Sequence, residues 1–161
     1  MRLRYRCSDV LRGILIYSSG DTAASLILSQ FSVTRLLGMM AVGGCIYALE
    51  IPAYFRWIDR KCGGIEGFKG SMARTGLALL YFNPLWIARH LLFIQLFSQN
   101  TSAIGFGLLR TGLLSFSANI PVAATANYII QNKIPLKWRF FSSAVFSSMM
   151  AVYYALSISI F

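Results

Sequence analysis

Long apolar runs separated by short basic segments set the pattern of this chain. A helix needs about 20 predominantly apolar residues to cross the hydrocarbon core of a bilayer. Five stretches reach that length, at about 10–30, 36–56, 75–97, 107–130 and 140–160. No linker or low-complexity stretch divides them, so residues 1–161 read as a single transmembrane domain. The expected fold is all-α, an integral membrane helical bundle of about five spans.

Each run has its own texture. The first is interrupted by Tyr17, Ser18, Ser19, Gly20, Asp21, Thr22 and Ser25, which predicts a helix wrapped by neighbours rather than by lipid. In the second, Gly38, Gly43 and Gly44 remove side-chain bulk and predict a helix-packing face. Pro52 follows one turn before Arg56, where a kink or the helix end is expected. Asn83-Pro84 in the third run predicts a kink, because proline removes a backbone donor and disfavours helix at the residue before it. The fourth carries Gly105, Gly107, Gly112, Asn119, Pro121 and Asn127, again a polar and kinked span. In the fifth, Ser143, Ser147, Ala151 and Ala155 recur at helical spacing as a second packing face, and Trp138 just before it is placed for the headgroup level.

Composition supports a lipid solvent. The chain is 57% hydrophobic and 12% charged, against about 25% charged for an ordinary soluble domain; its mean hydropathy is +0.61. Fifteen Lys and Arg against five Asp and Glu give +10. In a soluble protein that balance would raise nucleic-acid binding. Here the basic residues fall between apolar runs, so the expected partner is a bilayer with anionic headgroups, and no nucleic acid is expected. Taken in order outside the spans, Lys and Arg number 4, 1, 5, 1, 3 and 0, with Arg89 left inside the third span. That alternation is what the positive-inside rule requires of five spans with the N-terminus inside and the C-terminus outside.

Other signals are weaker. Cys7, Cys45 and Cys62 are odd in number and lack metal-ligand spacing, so neither a disulfide framework nor a metal site is expected. The Arg-rich start resembles a secretory signal, but Arg12 and Asp21 are poor residues for its apolar core; it also suits a mitochondrial targeting segment. Gly63 to Gly70 resembles a nucleotide loop only in glycine content and reads as a flexible inner loop.

Chemistry, if any, should reside in the polar groups within the spans. At about 1.5 Å per residue, Asp21 and Asn119 lie about 17 Å from the inner edge, Arg89 about 21 Å and Glu50 about 9 Å. Asp21 and Arg89 are therefore expected to approach each other, with His90 and Asn119 nearby, while Glu50 pairs with Arg12 or Arg56 or sits at a mouth. Two readings of this layer stand side by side: charges neutralised inside a bundle, or the lining of a polar passage whose broken helices expose backbone at Pro84 and Pro121. One histidine excludes a multi-histidine site, and no phosphate loop, GxSxG or HExxH is present. Neither an enzyme nor a cofactor is expected.

Gly20-Asp21, Arg35, and Tyr54-Phe55 before Ile58-Asp59 follow one another in an order also found elsewhere. So do Asn83-Pro84, Ile120-Pro121, Asn127-Tyr128, Ile134-Pro135, Arg139, and Met150 with Tyr153. Over nearly its whole length the chain resembles the family of the 22-kilodalton peroxisomal membrane protein and its mitochondrial inner-membrane relatives. It departs from that family at Ser25, where the family has Gln, and lacks the family's Asp-Gln before the third-span proline. The resemblance implies a channel or pore-like solute-conducting protein, in the mitochondrial inner membrane, with peroxisomal and bacterial inner membranes as alternatives. The competing reading is a non-conducting structural subunit of a larger membrane complex; the expected protein partners are further copies in a homo-oligomer or the subunits of such a complex.

Overall fold

A computed structural model describes the backbone of residues 6–160 and the side chains of all of these except 151 and 154–160. Arg2, Arg4, Ala151 and Ala155 therefore lie outside the described residues or side chains. The fold is all-α, arranged as five rods joined by short turns. Helix α1 (Cys7–Ile27) is the first rod. The second is continuous from Val33 to Cys62: α2 (Val33–Ala41), a π-helical stretch (Val42–Tyr47) and α3 (Ala48–Cys62). The third is α4 (Gly67–Tyr81) followed by α5 (Pro84–Phe97), the fourth α6 (Phe106–Asn132) and the fifth α7 (Leu136–Ile160). Among the described residues, the second, third and fourth rods are long and apolar enough to cross a membrane.

The second rod forms the core. Met39, Tyr47, Ile51, Phe55 and Ile58 are all buried, and this rod touches α1, the α4–α5 rod and α7. α1 also packs along α7, and both α4 and α5 lean on α6. Leucines and aromatics such as Leu11, Leu15, Leu80, Leu85 and Phe106 are exposed around the outside, while Asp21, Arg35, His90, Asn127 and Gln131 are buried. Exposed apolar side chains on the outside, with buried polar ones set beside the apolar core, suit an apolar surrounding medium.

Glycines set the closest approaches. A methyl group on Gly43 would run into the carbonyl of Gly13, and one on Gly13 into the carbonyl of Gly43, so α1 and the π stretch cross backbone to backbone. Gly44 faces Ile14, and Gly38 accommodates the ring of Phe97. All three glycines of the second span are thus covered by the chain itself. Gly13, on the facing helix, is the partner that the sequence pattern leaves unmarked.

Prolines behave less uniformly than expected. At Pro84 the rod breaks outright: α4 ends at Tyr81, Asn83 caps α5 by accepting a hydrogen bond from the Trp86 N–H at 3.0 Å, and Pro84 occupies the first turn, where its missing donor is no loss. Pro52 does not end its helix, which continues to Cys62; the irregularity lies one turn earlier, in the π stretch. α6 passes through Pro121 as one helix. The expected loop at 63–70 is also shorter, because α4 begins at Gly67 with φ +64°, a conformation open to glycine. At the opposite end, Ser29 and Gln99 take positive φ, and bonds from Gln30 N–H to the Ser25 carbonyl and from Asn100 N–H to the Gln95 carbonyl close α1 and α5.

Gly13→Ala is expected to lower the thermal midpoint in detergent sharply, since two backbones would have to separate. Gly76 has open space where a Cβ would stand, so Gly76→Ala should raise stability by up to about 1 kcal/mol. Equal effects from the two substitutions would contradict the Gly13–Gly43 crossing.

Candidate functional site

The most deeply buried charges are Asp21 and Arg35. Arg35 donates from Nε to Oδ2 at 2.8 Å and from Nη2 to Oδ1 at 2.7 Å, with side-chain exposures of 3% and 2%. Hairpin geometry brings them together: Asp21 lies six residues before the end of α1 and Arg35 two after the start of α2. The difference, about 6 Å of helix rise, is within reach of an arginine side chain. Ser32 caps α2 by accepting a hydrogen bond from the Arg35 N–H at 3.1 Å, which fixes the backbone from which the guanidinium extends.

Above this pair opens a cavity of about 470 Å³ between the α1–α2 turn and the end of α5. Arg35 and Ile94 are its deepest lining residues; Gln30, Ser32, Gln95, Ser98 and Asn100 supply amides and hydroxyls. At the opposite, basic end a second cavity of about 250 Å³ is lined by Arg6, Asp9, Pro52, Phe55, Arg56 and Lys137, among others. Between Arg35 and Pro52 run about 25 Å of the second rod. That interval is filled by Met39, Tyr47, Ile51, Ile87 and Leu91, each essentially without exposure. The two cavities are therefore separated by a closed waist.

Tyr47 is the hub of the waist. Its hydroxyl shares a hydrogen bond with His90 Nδ1 at 3.0 Å, its ring lies 4.7 Å from that of Tyr17, and the Arg89 guanidinium sits 5.8 Å from its centroid. Trp86 stacks on His90 with a centroid separation of 5.6 Å. Arg89 itself pairs with Glu50, Nη1 to Oε1 at 3.1 Å and Nη2 to Oε2 at 3.0 Å, with about a third of each side chain exposed.

The expected Asp21–Arg89 pair is therefore corrected: Asp21 is held by Arg35 and Arg89 by Glu50. Glu50 likewise takes neither Arg12 nor Arg56. Rise along separate helices fixes depth but not which way each side chain faces, and Asp21 and Arg89 answer to different neighbours. His90 is held by Tyr47 rather than by either ion pair. Asn119 stands apart from both pairs, its Nδ2 3.7 Å from Met150 Sδ at the α6–α7 contact. Arg35 reads from sequence as a loop-edge charge, although it is one of the residues that carries the family resemblance. Tyr47 gives no sequence signal beyond following two glycines.

Toward the basic end the rods are tied by further polar contacts. Arg139 of α7 pairs with Asp59 of α3 and donates from Nε to the Ile134 carbonyl at 2.9 Å. Arg74 of α4 donates to Asn132 of α6 at 2.9 Å. Arg12 lies 4.8 Å over the exposed Trp138 ring. Among the described residues, no group of three or more His, Cys, Asp or Glu is placed to hold a metal ion.

Asp21→Asn or Arg35→Gln should each cost about 3–5 kcal/mol, because removing one partner strands a buried polar or charged group. The double substitution Asp21→Leu with Arg35→Met should be milder than either, and Glu50→Gln milder than Asp21→Asn. Thermal unfolding in detergent micelles measures all four; additive losses at positions 21 and 35 would show that the two side chains act independently.

Compared with known protein families, characterised proteins and solved structures, this chain matches none.

Proposed function

We propose that this chain is a five-span integral membrane protein, a divergent member of the family it resembles, and that it conducts small solutes through the bundle. The observation that carries the reading is the pair of cavities at opposite ends of the same helix bundle. Five rods fit the alternation of basic segments, with α1 and α7 joining the three rods of sufficient length and hydropathy as spans. Conduction then requires the waist around Tyr47 to open.

The mouths differ in charge. At the outer one, Arg35 is neutralised by Asp21 and the remaining polar lining is uncharged. At the inner one, Arg6, Arg56 and Lys137 outnumber Asp9, which favours anionic solutes there. The mitochondrial inner membrane is the compartment we favour, from the family resemblance and the basic inner side. The competing subunit reading loses support from packing: Gly43 and Gly44 are filled by α1, Gly38 by Phe97, and Gly20 of α1 lies against Ser148 of α7. These small-residue faces are spent within the chain.

Purified protein in liposomes should release small anionic solutes faster than protein-free vesicles. The neutral-for-charged pair Asp21→Asn with Arg35→Gln should change that rate, since it removes both charges at the floor of the outer mouth while leaving an amide at each position. No leak, together with stoichiometric co-purification of other chains, would overturn conduction in favour of the subunit reading.

A further inference from the structure

The Glu50–Arg89 pair lies where a membrane protein should not show charge. It lines an open groove of about 310 Å³ on the flank of the bundle, with Tyr54, Leu80, Tyr81, Asn83, Leu85 and Trp86. Leu80 and Leu85, at the groove's edge, are 64% and 65% exposed, so this flank faces lipid if the chain spans the bilayer as proposed. Glu50 is about 18 Å of helix rise from the basic end of its rod and Arg89 about 12 Å from the other end of its own. In rods about 45 Å long crossing a core of about 30 Å, both lie within the apolar slab. A third of each side chain remains uncovered there.

Charges and donors at that depth are normally sheltered by protein or water. Glu50 and Arg89 already neutralise each other, so a cover that complements them has to present a cation to the open side of the carboxylate and an acceptor to the open side of the guanidinium. The same groove on a second copy offers both. A two-fold axis along the membrane normal preserves depth, and the heads of Glu50 and Arg89, in contact within one chain, share a depth; Arg89 of each copy then meets Glu50 of the other reciprocally. We infer that the chain forms a two-fold homodimer in the membrane through the Glu50–Arg89 groove between α3 and the α4–α5 break. This rests on the membrane-spanning reading, not on conduction.

Fluorescently tagged protein, reconstituted into vesicles of neutral phospholipid at high dilution, tests the inference by counting photobleaching steps, after alkaline carbonate extraction has shown that the chain is integral. Failure of extraction removes the membrane reading itself and is thus told apart from failure of the dimer. Two steps are expected for the unmodified protein. Glu50→Leu with Arg89→Leu, which makes the groove compatible with lipid, should raise the dimer dissociation constant about tenfold or more. A photo-crosslinking residue at Leu85 should join two copies, whereas one at Val122, exposed on α6, should not; this measurement leaves the charge pair intact and does not depend on the double variant folding. Single-step bleaching of the unmodified protein, which would leave lipid as the cover, overturns the proposal. So does crosslinking through Val122 instead of Leu85, or a double variant that dimerises as well as the parent.

Discussion

Everything in this bundle is arranged around the need to pair charge where water is scarce. Asp21 has no solvent to turn to, and a carboxylate in that position is stable only with a cation that matches its two oxygens. Arg35 does so bidentately, and in doing so it fixes how α1 and α2 lie against each other. The Gly13–Gly43 crossing lower down lets the same two rods come close enough for that pairing to be made from opposite walls. Register, depth and the position of the outer cavity follow from these two contacts.

The same constraint explains the gradient of polarity through the molecule. Near the waist, polar groups are few, and two contacts join them across rods: Tyr47 with His90, Arg89 with Glu50. Toward the basic end, ion pairs and amide contacts such as Arg139 with Asp59 and Arg74 with Asn132 tie neighbouring rods. Strictly speaking, a waist filled by Met39, Tyr47, Ile51 and Leu91 is a seal. It becomes a gate only if the rods around it move. The π stretch that ends at Tyr47 is the irregular segment nearest to it, and such turns recur where helices carry function.

Breaks and caps supply the local rigidity. Asn83 accepts the Trp86 N–H and donates to the Leu80 carbonyl at 2.9 Å, so the interruption between α4 and α5 satisfies part of its own backbone. Without that, exposed peptide groups in an apolar medium would cost several kcal/mol each. The break also turns α5 so that Trp86, His90 and Leu91 face inward while Leu85 faces out.

How much of this was legible beforehand depends on the range of the interaction involved. Five helical rods, their approximate limits, the basic and non-basic ends and the break at Pro84 are written locally, in hydropathy, charge order and the missing amide of proline. The glycines of the second span also announced a close contact, because lack of a side chain is a local fact. What the sequence could not express was facing. Asp21 chose Arg35 over Arg89, Glu50 chose Arg89 over Arg12 or Arg56, and Tyr47 came to the centre, because rotation of each rod about its axis is decided by the packing of all five together. Depth is a property of one helix, whereas partnership is a property of two, and only the tertiary structure holds the second.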